Sequence, residues 1–376
     1  MATTTQSGQA QAPVALAPFR TGTQRTLSSD GYTNSTTPGG SAVDIPDYTP
    51  SPNNFLRGLW IQSQCTTSAN AATVVFAGDG PFNVYSSITF QDANSKPIVG
   101  PFDGYTLMVV NKFGGYHNNP DPRASAIYSA VAGSGSTGGS FNFVLYVPVE
   151  VVSRGFGSLQ NQSSDSTFTL KMTINTSANV YGTAPTTLAP VVTKVFEDGW
   201  WKGNVAGSSP TPPASGSTQY WTRGTYNALN GAQQVQISQG LGYPIRGLMF
   251  INYDVSANTR AAGQTDFPDP IQLVYKGTSY WNVSKNVWDD QMSRAFGYFQ
   301  TTFDTANGLE NGVFVHFNYM SDLDKAPGNE AGLGYLNTNQ GDLHQLIGSF
   351  NGNSKLFVVA NYVATVGSYQ QIQGKI

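Results

Sequence analysis

Between residues 167 and 174 the chain alternates without a break: Phe168, Leu170, Met172 and Ile174 are apolar, Thr167, Thr169, Lys171 and Thr173 polar. Successive side chains of a strand point to opposite faces, so this segment predicts a strand with one buried and one wet face. Phe141, Phe143, Leu145 and Val147 alternate in the same way with Asn142, Val144 and Tyr146. Runs rich in Val, Ile, Thr, Tyr and Phe predict further strands from Leu59 through Cys65 and over 73–76, 82–91 and 191–196, with Gly78-Asp79-Gly80-Pro81 as a turn. A short helix is predicted over 103–111, ahead of the breakers Gly114-Gly115 and Asn118-Asn119-Pro120.

The opening phrase of this pattern occurs twice. Leu56-Arg57-Gly58-Leu59-Trp60-Ile61 returns as Ile245-Arg246-Gly247-Leu248-Met249-Phe250-Ile251, and strands are predicted over 245–253, 271–275, 313–319 and 356–363. Three of these lie about 189, 172 and 188 positions after the strands at Leu56, Phe141 and Phe168. The chain reads as one all-β module written twice, with loop lengths that vary as surface connections tolerate. A helix predicted over 284–296, capped by Ser284 and carrying Val287, Trp288, Met292, Ala295 and Phe296 on about one face, stands out as a difference between the copies.

Residues 1–53 are rich in Thr, Ser, Gly, Gln and Pro, show no helical or strand period, and read as an extended N-terminal arm. The arm holds one apolar cluster, Val14-Ala15-Leu16-Ala17-Pro18-Phe19, which has a use if it docks on another surface. Val14, Leu16 and Phe19 are therefore the candidate assembly contacts. Residues 54–202 form the first module and 223–376 the second, with a short C-terminal tail; between them 203–222 is a linker, uncharged and marked by Pro210-Thr211-Pro212-Pro213. A chain of 376 residues exceeds what one core usually serves, and two domains of about 150 residues are the natural division.

Composition sharpens this picture. With 39% hydrophobic residues, among them 21 Phe and 19 Tyr, two cores can be filled. Charged residues are only 11%, against about a quarter in ordinary globular domains. Such a surface is suited to cover by neighbouring copies, although neutral polar groups also keep a free protein in solution. The net charge of −3 and the lack of a Lys/Arg cluster argue against nucleic-acid binding. The single cysteine, Cys65, reads as a small buried side chain and permits no intramolecular disulfide. Residues 1–6 lack the character of a secretory signal, and no stretch approaches the roughly 18 apolar residues of a spanning helix. The chain is expected to be made as a soluble protein in the cytoplasm.

Catalytic and metal chemistry finds little to use. Gly133-Ser134-Gly135-Ser136-Thr137-Gly138 matches a dinucleotide-binding string, but a strand follows it where a helix is needed, so it reads as a surface loop. His117, His316 and His344 are too scattered for a zinc site, and His316 reads as a hydrogen-bonded structural histidine. Glu150, Glu197, Asp198, Asp266, Asp269, Asp289 and Asp290 contain no pair marked for glycoside hydrolysis, and Asp289 and Asp290 read as a solvated helix face. Asp322, Asp324 and Glu330 depart from the calcium-loop spacing. Trp200, Trp201, Tyr220 and Trp221 border the linker and read as packing between modules rather than a sugar platform. No catalytic residue, cofactor or metal site is assigned.

The order of Leu56-Arg57-Gly58-Leu59-Trp60-Ile61, Ile88-Thr89-Phe90-Gln91-Asp92, Phe143-Val144-Leu145-Tyr146-Val147-Pro148 and Arg246-Gly247-Leu248 resembles the double jelly-roll major capsid proteins of tectivirus-like phages, icosahedral double-stranded DNA viruses with an internal membrane. The likeness covers roughly residues 54–370. It implies an all-β fold of two tandem eight-stranded jelly rolls with short helices in loops, located in the capsid shell of the virion. It further implies homotrimers of pseudo-hexagonal outline that meet neighbouring capsomers, penton and minor capsid proteins. In such relatives the N-terminal segment is often helical and reaches the membrane. Here the arm shows no amphipathic helix and little positive charge, so direct lipid contact is not expected. Two other classes stay open: a receptor- or glycan-binding surface protein, and a jelly-roll glycoside hydrolase.

Overall fold

The computed structural model describes residues 23–28, 31–52, 54–67, 70–114, 121–151, 158–161, 167–202, 219–255, 259–260, 268–284, 286–288, 290–291, 312–317 and 334–363. Strands β1 (Thr23–Ser28), β2 (Thr33–Thr36), β3 (Val43–Asp44), β4 (Asn54–Cys65), β5 (Tyr85–Gln91) and β6 (Pro97–Phe102) lead into helix α1 (Gly104–Phe113). Strands β7 (Phe141–Pro148), β8 (Thr169–Ile174) and β9 (Val191–Lys202) follow.

These strands pair antiparallel in two sheets. In one, β1 and β2 share an edge beside β9, followed by β4 and β7. In the other the order is β3, β8, β5, β6. Tyr85 of β5 spans the gap between them, its hydroxyl lying 2.7 Å from Ser63 Oγ of β4 and 2.8 Å from Thr193 Oγ1 of β9.

The second half repeats the plan with β10 (Gln219–Gln236), β11 (Pro244–Asp254), β12 (Ile271–Tyr275), β13 (Thr278–Val283), β14 (Val313–Phe317) and β15 (His344–Val363). Here two long strands each serve both sheets. Pairing of β10 with β15 shifts between Tyr226 and Gly231, where Ala228 and Gly231 have φ of 57° and 66° and Gly352 has 68°. A left-handed backbone turns the chain sharply at such a corner. One sheet then runs 219–226 of β10, 356–363 of β15, β11, β14. The other runs 231–236, 345–350, β12, β13. Strand for strand this is the order of the first half, so the fold is two tandem eight-stranded jelly rolls.

Several sequence expectations change against this topology. The segment expected as an arm contributes β1, β2 and β3, whose Thr- and Ser-rich text hid them because a strand at a sheet edge need not carry an apolar alternation. Strand β10 begins at Gln219, inside the expected linker. The strand over 356–363 corresponds to β9, not to the strand at Phe168: both β9 and β15 pair with the Arg-Gly strand. Residues 286–288 and 290–291 are helical, and this helix follows β13 as α1 follows β6, so it is a counterpart rather than a difference. Trp288 is buried and Val287 exposed, so the two do not share a face; Met292, Ala295 and Phe296 lie outside the described residues. The Gly133–Gly135 segment is a short strand paired with Asn70–Phe76.

One continuous apolar cluster runs through both rolls. In β8, Leu170, Met172 and Ile174 are buried while Lys171 is exposed, as the alternation requires. In β4, Leu59, Ile61 and Cys65 face the core and Gln64 is exposed. In β11 the alternation disappears, since Met249 and Ile251 are as fully buried as Leu248 and Phe250. Every residue of α1 is also buried. Its Asn111 amide donates to Tyr146 O and accepts from Tyr146 N, each at 2.6 Å, fastening the helix to β7.

Candidate functional site: the duplicated bulge and the junction between rolls

The repeated Arg-Gly phrase forms the same irregularity twice. Along β4 and β9, Gly58 lies opposite Asp198 and Leu56 opposite Gly199, which leaves Arg57 as the extra residue. Along β11 and β15, Gly247 lies opposite Asn361 and Ile245 opposite Tyr362, which leaves Arg246. An extra residue in one strand bends it and re-aims the side chain. The glycines have a packing reason. A Cβ at Gly58 would strike the Tyr146 ring and sit 2.6 Å from Val147 O, and one at Gly247 would strike the Phe317 ring.

The two arginines use different partners. Arg57 Nε bonds Glu150 Oε2, and Nη1 lies 3.2 Å from Asp198 Oδ1. Its guanidinium also stacks 4.6 Å from the centre of the Trp200 ring. Burial pushes this guanidinium down, but Glu150, Tyr146 and Asp198 outweigh it and hold the group above its ordinary value. Arg246 is fully buried. It donates to Asn361 Oδ1 at 3.0 Å and to Gly114 O at 3.3 Å, and its guanidinium lies 5.6 Å from the centre of the Phe317 ring.

Asn361 shows why an amide stands where the first roll has a carboxylate. Its Nδ2 donates to Gln219 Oε1 at 2.8 Å and Tyr220 O at 3.0 Å, which a carboxylate cannot do. Gln219 in turn donates to Glu150 O at 2.9 Å, so the second bulge is tied to the first roll. Beside it Trp221 of β10 lies parallel to and opposite Val99 of β6, and is fully buried. Arg223 reaches Asp103 Oδ2 at 2.5 Å, while Lys96 lies 4.6 Å from the centre of the Tyr220 ring. The first strand of the second roll thereby extends a sheet of the first.

The residues singled out for chemistry divide clearly. Glu150 and Asp198 come together, but on Arg57, with side chains only 4% and 2% exposed. Glu197 accepts from Tyr48 Oη at 2.8 Å and Ser51 N at 2.5 Å. Asp269 and Asp290 are exposed. Cys65 is buried, and desolvation raises its thiol pKa. His344 is fully buried with Nε2 2.8 Å from Tyr280 Oη, and desolvation lowers its pKa to about 4. His316 is buried against Trp281 and Tyr280. Among the described residues no three His, Cys, Asp or Glu side chains converge. Trp200 and Trp221 are packed inside, and Tyr220 stacks on Tyr362. Val14, Leu16, Phe19, His117, Asp266, Asp289, Asp322, Asp324 and Glu330 lie outside the described residues. Sequence reasoning passed over Leu27, which is 63% exposed on β1; a lone leucine in polar text gave no periodic signal.

No family model and no curated protein sequence matches the chain. Solved structures do match in fold. The chain is similar to the STIV MCP, with a TM-score of 0.62 and 13% identity over 93% of this chain and 98% of that one. It is similar to the PBCV-1 virus capsid protein, with a TM-score of 0.58 and 10% identity over 91% and 93% of the two chains. The major capsid protein of bacteriophage PM2 matches with a TM-score of 0.51 and 11% identity over 91% and 99%.

Proposed function

We propose that this chain is the major coat subunit of an icosahedral virus and acts without catalysis or cofactor, as part of the virion shell. The observation that carries this reading is the strand-for-strand identity of two rolls joined edge to edge. Three such chains around one axis present six similar bodies, so a three-fold oligomer fills a six-neighbour position in a closed lattice. The fold shared with capsid proteins over nearly the full length of each chain supports it.

The competing readings lose some of the residues that they would use. A glycan platform would need Trp200 and Trp221 accessible, and both are buried. A hydrolase would need its carboxylates at a cleft, and Glu150 and Asp198 are held by Arg57. Among the described residues no helix is long and apolar enough to cross a membrane.

In this reading the capsomer is a homotrimer, and Val14, Leu16 and Phe19 dock beneath it or its neighbour to join capsomers and the penton and minor proteins. Light scattering on the purified protein tests the first part: a three-chain mass is expected, and a monomer at micromolar concentration overturns it. Removing residues 1–22, which spares β1, should leave trimers intact but impair shell assembly. Normal particles from the shortened chain overturn the docking role.

A further inference from the structure

The two bulges provide a register for comparing the rolls residue by residue. Opposite the bulge, Asp198 of β9 pairs with Leu27 of β1, and Asn361 of β15 pairs with Trp221 of β10. Leu27 therefore occupies in the first roll the position that Trp221 occupies in the second. On the receiving side, Val99 of β6 lies opposite Phe90, and Trp281 of β13 lies opposite Leu273. Phe90 and Leu273 are both fully buried core positions of equivalent strands. Trp281 is thus the counterpart of Val99.

Inside one chain the pair is closed: Trp221 sits opposite Val99 with no exposure. The other pair is open. Leu27 is 63% exposed, β1 is the edge of its sheet, and among the described residues β13 pairs only with β12. An exposed strand edge beside a large exposed apolar side chain is a template for pairing. We infer that β1 of one copy docks parallel along β13 of the next, with Leu27 opposite Trp281, as β10 docks along β6 within the chain. The occupant is a second copy because the contact continues an interface the chain already makes with itself. Three such contacts alternate with three internal ones and close the ring, so the inference rests on the trimeric reading and specifies its edges.

The copy-to-copy contact differs from the internal one in charge. Internally Arg223 pairs with Asp103, the capping residue of α1. Ser284 caps the equivalent helix, so the contact between copies lacks that carboxylate and rests on Leu27.

Two variants of the full chain test this. Leu27→Asp should convert the three-chain species to monomer in light scattering while leaving the thermal midpoint of the monomer unchanged, because the side chain is exposed there. The double variant Ser28→Cys, Asn282→Cys, which lie opposite each other when Leu27 faces Trp281 in a parallel pair, should give two- and three-chain bands on oxidation that vanish with reductant, and neither single variant should; Cys65 is buried and does not compete. If the wild type is trimeric, Leu27→Asp stays trimeric and the cysteine pair fails to link, this edge assignment is overturned while the capsomer reading stands. A monomeric wild type overturns both.

Discussion

Arg57 and Arg246 occupy the same bulge in two copies of one roll, yet they carry out different work. Arg57 neutralises Glu150 and Asp198 of its own roll. Arg246 donates to Asn361 Oδ1 and to Gly114 O, the second from the other roll. The change from Asp198 to Asn361 at one register position marks the difference. A carboxylate can only accept, so the first bulge closes on itself, whereas an amide accepts from arginine and still donates to Gln219 and Tyr220. Duplication supplied two equal sites, and polarity at one residue turned the second toward the junction.

The comparison predicts a large asymmetry in stability. Arg57→Met removes the cation shared by two buried carboxylates, Glu150 and Asp198, and should cost about 3–5 kcal/mol, whereas Arg246→Met removes the hydrogen bonds to Asn361 and Gly114 and should cost about 1–3 kcal/mol. Chemical denaturation measures both, and equal losses would break the contrast. Asn361→Asp should not strengthen the second bulge despite offering Arg246 a charge, because it gives up both amide donations.

Acid should separate the rolls next. Desolvation lowers His344 of the second roll from 6.5 to about 4, so between those values the unfolded chain binds the proton and the folded chain does not. Stability should therefore fall as pH drops from 6.5 toward 4, by on the order of 3 kcal/mol in total. In the first roll, burial pushes Asp121 up, but the Arg123 hydrogen bond and the Lys112 and Arg123 charges together lower it from 3.8 to about 2. Its contribution is present above 3.8 and is lost only as pH falls toward 2. Thermal midpoints across pH 2–7 should flatten in the upper window for His344→Gln and in the lower one for Asp121→Asn. Identical profiles for the two variants would contradict the assignment.

The smallest expected difference concerns the two helix caps. Asp103 accepts from Thr106 N at 2.7 Å and also holds Arg223, whereas Ser284 accepts from Val287 N at 3.4 Å. Asp103→Ala should cost about 1–2 kcal/mol and Ser284→Ala about 0.5–1 kcal/mol. A reversed order in thermal melts would show that the junction draws little from Arg223.

Much of the fold was legible because the core strands carry their own period. Phe168 to Ile174 and Phe141 to Val147 could be read from alternation, and the Arg-Gly phrase exposed the repeat. Strands β1 to β3 were not legible, since Thr, Ser and Asn at a sheet edge look like linker. The match between β9 and β15 was missed for a related reason: it resides in hydrogen-bond register, and 356–363 is apolar where 191–202 ends in Glu197, Asp198 and Gly199. The structure brings Arg57 of β4, Asp198 of β9 and Glu150, just past the end of β7, together, and no spacing along the chain announces that.

By itself the sequence determined the all-β class, the duplication and the poverty of catalytic groups, because hydrophobic period, repeated phrases and composition are local properties. Tertiary structure decided which strands are equivalent, where the bulges fall, and that Leu27 stands at the position of Trp221. Those facts depend on which residues lie opposite one another across strands far apart in the chain, and register is set only when sheets close over a common core.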